Sequence, residues 1–365
     1  MTKSIISPHQ IKKILIVQVA GIGDLVLATP TLRALRDRFF QSHISLLTLP
    51  RAKELIIGSG YIDEVFTFDL KKYSSFLSFL RIRRFKEVLG LVKKLRQEHF
   101  DMTINLYGLV RKRGIIRMAL LLYLIGTKYR VGRNTDGRGF FYNIKVPEDS
   151  RGSKHEVERN LDVARVLGAD IKDKHLEVHV SGEDDKYVSE FLRKNQALDS
   201  NLIIGFNPGA AVPSHLWGKE NFARLGDKLV ERYKCKIVIT GGPEEIKLAY
   251  EVADLMQIKP LITTGKLIFK QSAALIKRCD LFISNETGPM HIAVAMNTPL
   301  IALLGPASIK YFPYGDKERF IVIKKDVSCS PCYKLRCKRH VCMELITVEE
   351  VMQAAVKLIE RISHV

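Results

Sequence analysis

Short runs of aliphatic and β-branched residues that stop at glycine or proline turns, each followed by a helix-length segment, recur along this chain and constrain its architecture most. The first, Ile14-Leu15-Ile16-Val17-Gln18-Val19, runs into Gly21-Ile22-Gly23-Asp24 and then a helical pattern over residues 25–39 that includes Pro30. Residues 44–49, 65–68, 102–105 and 128–131 read as further strands. A basic stretch over 79–97 reads as a helix, and 157–167 as a helix ended by Gly168. The polar, mixed segment 170–200 reads as a domain connection. The pattern then restarts, with strands at 202–206, 236–240, 281–284 and 300–304 and helices at 221–233, 244–255, 272–278 and 290–296. Alternation of this kind means parallel sheets with helices on both faces. The expected fold class is α/β, two Rossmann-like parallel-sheet domains in tandem.

Length agrees, because 365 residues exceed what one core usually organises. The expected division is 1–175, 176–345 and a C-terminal helix at 346–365 that packs back on the first domain. Open α/β sheets bind ligands outside the carboxyl ends of their strands, so a cleft between the two sheets is the expected site. A hydrophobic fraction of 46% with 27% charged residues excludes a disordered chain. The longest apolar run, 118–126, is too short to cross a bilayer. The first residues lack a secretory pattern, so a cytoplasmic location is expected.

The formal charge of +19 implies an anionic partner: nucleic acid, a sugar nucleotide, a phosphorylated glycolipid or a membrane face. Much of it comes early, in Lys71, Lys72, Arg81, Arg83, Arg84, Lys86, Lys93, Lys94 and Arg96 against Glu87 alone, and in Arg111, Lys112, Arg113 and Arg117. These are either a solubilising helix surface or a face that approaches an anionic acceptor or membrane. Base-reading aromatics are not interleaved with the charges, and no finger, homeodomain or ribonucleoprotein motif occurs, so no nucleic-acid partner is expected.

Three turns at strand ends carry the candidate chemistry. Gly21-Ile22-Gly23-Asp24 departs from the dinucleotide fingerprint because Val26 stands at the third glycine's place. Asp24, at a helix start, is either a plain cap or a general base for an acceptor hydroxyl; Gly21 and Gly23 are the acceptor-side residues. Ser284-Asn285-Glu286-Thr287-Gly288-Pro289-Met290-His291 follows a strand and opens a helix, a place that suits a diphosphate. Thr287 and Gly288 can approach closely, Glu286 can hold sugar hydroxyls, and His291 is either a phosphate-positioning residue or a core histidine. Asn207-Pro208-Gly209 ends another strand, followed by His215, Trp217 and Lys219, with His215 and Lys219 as candidates to offset phosphate charge. Gly241 and Glu244 of Thr240-Gly241-Gly242-Pro243-Glu244 complete the donor-binding set.

Cys329, Cys332, Cys337 and Cys342 are bunched among basic residues. They could be unligated or redox-sensitive thiols, a structural zinc site or an iron–sulfur site. No DxD pair stands in the cleft loops, so no active-site metal and no required cofactor are expected.

The chain resembles the ADP-heptose:lipopolysaccharide heptosyltransferase family, glycosyltransferase family nine. The likeness rests on Ile14-Leu15-Ile16 through Gly23-Asp24 and Thr29-Pro30, on Asn207-Pro208-Gly209-Ala210, and on Trp217 with Phe222 and Leu225. It extends to Gly241-Gly242-Pro243-Glu244, to Asn285 through His291 with Thr298-Pro299, and to a cysteine tail similar to second-heptosyltransferase-like members. The resemblance implies a GT-B fold, an inverting transfer with Asp24 as base, an acceptor-binding first domain and an ADP-sugar-binding second. Its implied partners are an ADP-sugar donor and an anionic glycolipid acceptor, reached by peripheral docking at the inner face of the inner membrane. The family commonly has aspartate where this chain has Glu286 and lysine where it has His215. A sugar-nucleotide epimerase and a nucleic-acid-binding protein are the competing readings.

Overall fold

The structure is a computed structural model describing residues 6–69, 82–109, 112–306, 308–332 and 334–363. Lys71, Lys72, Arg81 and Arg111 lie outside the described residues, as do the side chains of Arg83 and Arg84. The chain divides into two compact units, Met1–Lys174 and His175–Val365.

The first unit is a six-stranded parallel sheet of β1 (Lys13–Gln18), β2 (His43–Thr48), β3 (Glu64–Thr67), β4 (Met102–Asn105), β5 (Tyr129–Thr135) and β6 (Ile144–Glu148). Its order is β3-β2-β1-β4-β5-β6, the doubly wound arrangement in which the winding reverses between β1 and β4. Helices α1 (Ile22–Arg38), α2 (Ile82–Gln97), α3 (Lys112–Ile125) and α4 (Glu156–Arg165) accompany it. Pro30 sits inside α1 and leaves the Val26 carbonyl without its N–H donor. The buried Thr29 hydroxyl donates to that carbonyl at 2.7 Å instead, so the helix runs on.

Strand β6 had no counterpart in the sequence reading, because no helix separates it from β5. The link lays the Tyr142 ring against Gly132, where a β-carbon would collide with the ring's Cζ. The Tyr142 hydroxyl accepts from Asn105 Nδ2 at 2.6 Å.

The second unit repeats the winding. Its strands are β7 (Ile203–Asn207), β8 (Lys236–Ile239), β9 (Leu261–Ile262), β10 (Leu281–Asn285), β11 (Leu300–Leu304) and β12 (Phe320–Lys324). All pairs are parallel, in the order β12-β11-β10-β7-β8-β9, so the winding reverses between β7 and β10. Helices α5 (Gly182–Lys194), α6 (Lys219–Tyr233), α7 (Ile246–Leu255), α8 (Phe269–Lys277), α9 (Gly288–Ala295), α10 (Val341–Glu344) and α11 (Val348–Ser363) flank it. The polar segment 170–200 is more than a connection. It carries α5, whose Ser181 hydroxyl accepts the Asp184 N–H at 3.1 Å and whose Val188 and Leu192 are fully buried. Helix α11, expected on the first domain, contributes Val351, Ala355, Leu358 and Ile359 to the core of the second unit.

Candidate active site

In each unit candidate loops leave the sheet where the winding reverses, the place at which open α/β sheets bind ligands; the loop with Gly241 and Glu244 follows β8, one strand away from the reversal. In the first unit, Gly21 is the N-cap of α1 and Asp24 is its third residue. Asp24 is therefore not the cap itself. Its Oδ2 accepts the Gly21 N–H at 3.0 Å, satisfying a helix-end donor. A β-carbon at residue 21 would lie 3.1 Å from that oxygen, so the glycine leaves room for the carboxylate. Gly23 lies in the same first turn.

Burial, and after it the negative charge of Glu156, raise the Asp24 pKa, which stands at about 6. The Gly21 amide and the Arg133 guanidinium pull the other way without cancelling the rise. Glu156 and Arg133 belong to a buried quartet that sequence inspection missed. Arg133 Nη2 lies 2.7 Å from Glu156 Oε1 and Nη1 3.5 Å from Glu148 Oε1. Arg159 meets Glu156 at 3.0 Å and Glu148 at 2.6 Å. Two cations and two anions out of water need this mutual pairing. The four come from β5, β6 and α4, and no local sequence pattern links them.

In the second unit, Asn207 and Asn285 end the two strands at the reversal and are fully buried. Asn285 Nδ2 donates to the Pro208 carbonyl at 2.8 Å, and its Oδ1 accepts the Trp217 N–H at 3.2 Å. Asn207 Nδ2 donates to the Gly209 carbonyl at 3.2 Å. Both amides thus hold the 208–217 loop in place, and Asn207 acts on that loop from within. Trp217 is a core wedge: its Nε1–H donates to the Ile346 carbonyl at 2.8 Å, and its ring meets Phe222 edge-on.

The same loop brings His215 to Glu286. His215 Nδ1 lies 3.1 Å from Glu286 Oε2, with the side chains 20% and 14% exposed. The two residues that the resemblance sets apart from an expected lysine and aspartate thus lie in contact. Lys219 does not join them; its ammonium pairs with Glu251 of α7 at 2.9 Å, which raises its pKa.

Gly209 and Gly241 frame a second carboxylate, but it belongs to Glu245. A β-carbon at 209 would collide with Glu245 Oε1, and one at 241 would lie 2.7 Å from its Oε2. Glu245 Oε2 accepts the Gly242 N–H at 2.8 Å, and burial raises its pKa. Glu244, the residue favoured from sequence, is exposed. The spacing between Gly241 and the two neighbouring glutamates does not tell them apart; their direction on the short Pro243–Glu245 turn does.

Thr287 caps α9 without using its hydroxyl for the cap. Pro289 at the second helical position has no N–H and the Met290 N–H donates to the Thr287 carbonyl, so Thr287 and Gly288 supply the other amides at this terminus. His291, one turn in, is buried.

The four bunched cysteines run from exposed Cys329 to buried Cys342. Burial raises the Cys342 thiol, and Cys329, Cys332 and Cys337 raise it further. The His340 and Arg339 amides hold Cys337 below the ordinary thiol range. Among the described residues no group of three or more His, Cys, Asp or Glu side chains is placed to hold a metal ion.

The first unit thus holds a carboxylate of raised pKa at its winding reversal, and the second a helix start at its own. The chain belongs to glycosyltransferase family 9 (heptosyltransferase), whose pattern matches residues 88–342, and it is a glycosyltransferase. Lipooligosaccharide heptosyltransferase 2 of Campylobacter jejuni is 25% identical over 362 residues, covering 96% of this chain and 99% of the relative. Lipopolysaccharide heptosyltransferase 3 of Escherichia coli K12 is 28% identical over 289 residues, covering 78% and 79%. A glycosyl transferase family 9 structure from Veillonella parvula matches with a TM-score of 0.76 at 25% identity, covering 96% of this chain and 97% of that one. The Escherichia coli ADP-heptose lps heptosyltransferase II shares the fold, with a TM-score of 0.75 at 21% identity over 96% and 99% of the two chains. The epimerase and nucleic-acid readings give way to the family.

Proposed function

We propose that the chain transfers heptose from ADP-L-glycero-β-D-manno-heptose to a hydroxyl of a lipopolysaccharide inner-core acceptor, with inversion at the anomeric carbon. The observation that carries the reading is Asp24, a carboxylate held at the sheet's winding reversal with its pKa near 6. A base of that strength is ionised at neutral pH, yet takes up a proton more readily than an ordinary aspartate. The heptosyltransferase names of the relatives support the donor and acceptor classes.

The acceptor hydroxyl attacks the anomeric carbon from the face opposite the diphosphate, and its proton passes to Asp24. The bond to the leaving ADP oxygen breaks with its electron pair. The Thr287 and Gly288 amides meet the charge that develops on the diphosphate, and Glu286, held beside His215, faces the sugar hydroxyls. One displacement inverts the centre. The proposed setting is the cytoplasmic face of the inner membrane; among the described residues no helix is long and apolar enough to cross a membrane.

ADP release from wild type and Asp24→Asn tests this, using ADP-heptose with and without heptose-deficient lipopolysaccharide. Acceptor-dependent release, lost in the variant while ADP still binds, is the expected result. Release without acceptor, or an active variant, would overturn the role of Asp24. Turnover only with another nucleotide sugar would overturn the donor.

A further inference from the structure

Beyond its basic first turn, and apart from Arg117, helix α3 carries large apolar side chains on two sides, of which one faces the core. Ile115, Met118, Leu122 and Ile125 are buried in the first unit. On the opposite side Ile116 is 65% exposed, Leu120 57%, Tyr123 58% and Leu124 37%. These four recur at the spacing that stacks side chains along one helical stripe. A stripe of large apolar side chains facing water marks an interaction surface.

Its surroundings are cationic. Lys112 and Arg113 open the helix and are exposed, and Lys128 follows its end. The Arg130 guanidinium lies 4.8 Å from the centre of the Tyr123 ring. No Asp or Glu occurs between Asp101 and Asp136. Cations at a helix N-terminus oppose the helix dipole, so Lys112 and Arg113 weaken the helix they begin. At 14 residues the helix is about 21 Å long, too short to span a bilayer.

We propose that α3 docks the protein on an anionic bilayer surface. Ile116, Leu120, Tyr123 and Leu124 enter the boundary between headgroups and acyl chains, while the flanking lysines and arginines meet lipid phosphates. Charge decides between a bilayer and a second copy of the chain. Two copies joined face to face would bring like-charged rims together, whereas an anionic leaflet neutralises them. An apolar face within a basic border, lying in the plane of the interface, is the arrangement of interfacial helices.

The test uses the full chain and no substrate, so its outcome is independent of the donor and acceptor proposed above. Flotation is measured with phosphatidylcholine vesicles and with vesicles containing about 30% phosphatidylglycerol, at low and high salt. Binding is expected only to the anionic vesicles and should weaken with salt. Ile116→Ser/Leu120→Ser/Tyr123→Ser should lower it roughly tenfold or more, with circular dichroism and ADP affinity unchanged. A second variant, Leu120→Trp, keeps the stripe apolar. Because the chain's own tryptophan is buried, a blue shift in its emission on vesicle addition reports insertion. No anionic-vesicle binding, binding unaffected by the triple variant, or a concentration-dependent dimer that the triple variant abolishes would each overturn the proposal.

Discussion

Asp24 combines a chemical asset with a folding penalty, and both can be measured. Its folded-state pKa of about 6 stands above the ordinary 3.8, so folding favours the protonated form. The stability this contributes is complete below pH 3.8 and is lost as the pH rises through about 6. At neutral pH the ionised group therefore strains the fold by on the order of 1–3 kcal/mol. Asp24→Asn should abolish transfer yet raise the midpoint of urea or thermal unfolding at pH 7, with the gain shrinking below pH 5. The kcat/KM of wild type should climb with pH through about 6 and then level off, because the base works only when ionised. The His215–Glu286 contact makes a second prediction. A shorter basic side chain beside a longer carboxylate spans much the same gap as a longer one beside a shorter carboxylate. His215→Lys and Glu286→Asp should each raise the donor KM severalfold, and the double exchange should recover much of the loss. A coupling of about 0.5–3 kcal/mol in ADP affinity is expected for groups in contact; additive losses would show that the two act separately.

At the level of elements, strands and helices that obey a simple period were legible. Buried parallel strands such as β1, β7 and β10 are short apolar runs, and the turns that follow them in sequence are the turns at the winding reversals. Strand β6 was not legible, because its link to β5 substitutes a Tyr142–Gly132 stack for the usual crossover helix. Helix α5 was hidden by its polarity, since only Val188 and Leu192 are buried on it. The Arg133–Glu148–Glu156–Arg159 quartet escaped for a different reason: its members meet only after two strands and a helix have been brought together. Glu245 was passed over for Glu244 because adjacent residues differ in direction, which composition does not encode. The β5–β6 link gives its own test. Gly132→Ala presses a methyl group against the Tyr142 ring, an overpacking expected to cost about 1–3 kcal/mol in urea unfolding, and Tyr142→Ala in the same chain should relieve the clash.

For the whole molecule, the informative feature is that two of its buried clusters each stay within one unit. One buried cluster draws only on residues between Leu15 and Tyr142, and another only on residues between Ile204 and Ile359. A fragment of residues 175–365 should therefore fold by itself and bind ADP, as circular dichroism and calorimetry would register. An unfolded fragment would mean that the second core depends on the first. The separation also has a consequence in time. Once Lys174 has been joined to the growing chain, the 191 residues that follow it still require about 10–40 s of synthesis. In that interval the first unit's residues, α3 with its exposed apolar stripe among them, precede the second unit and can meet whatever surface is near.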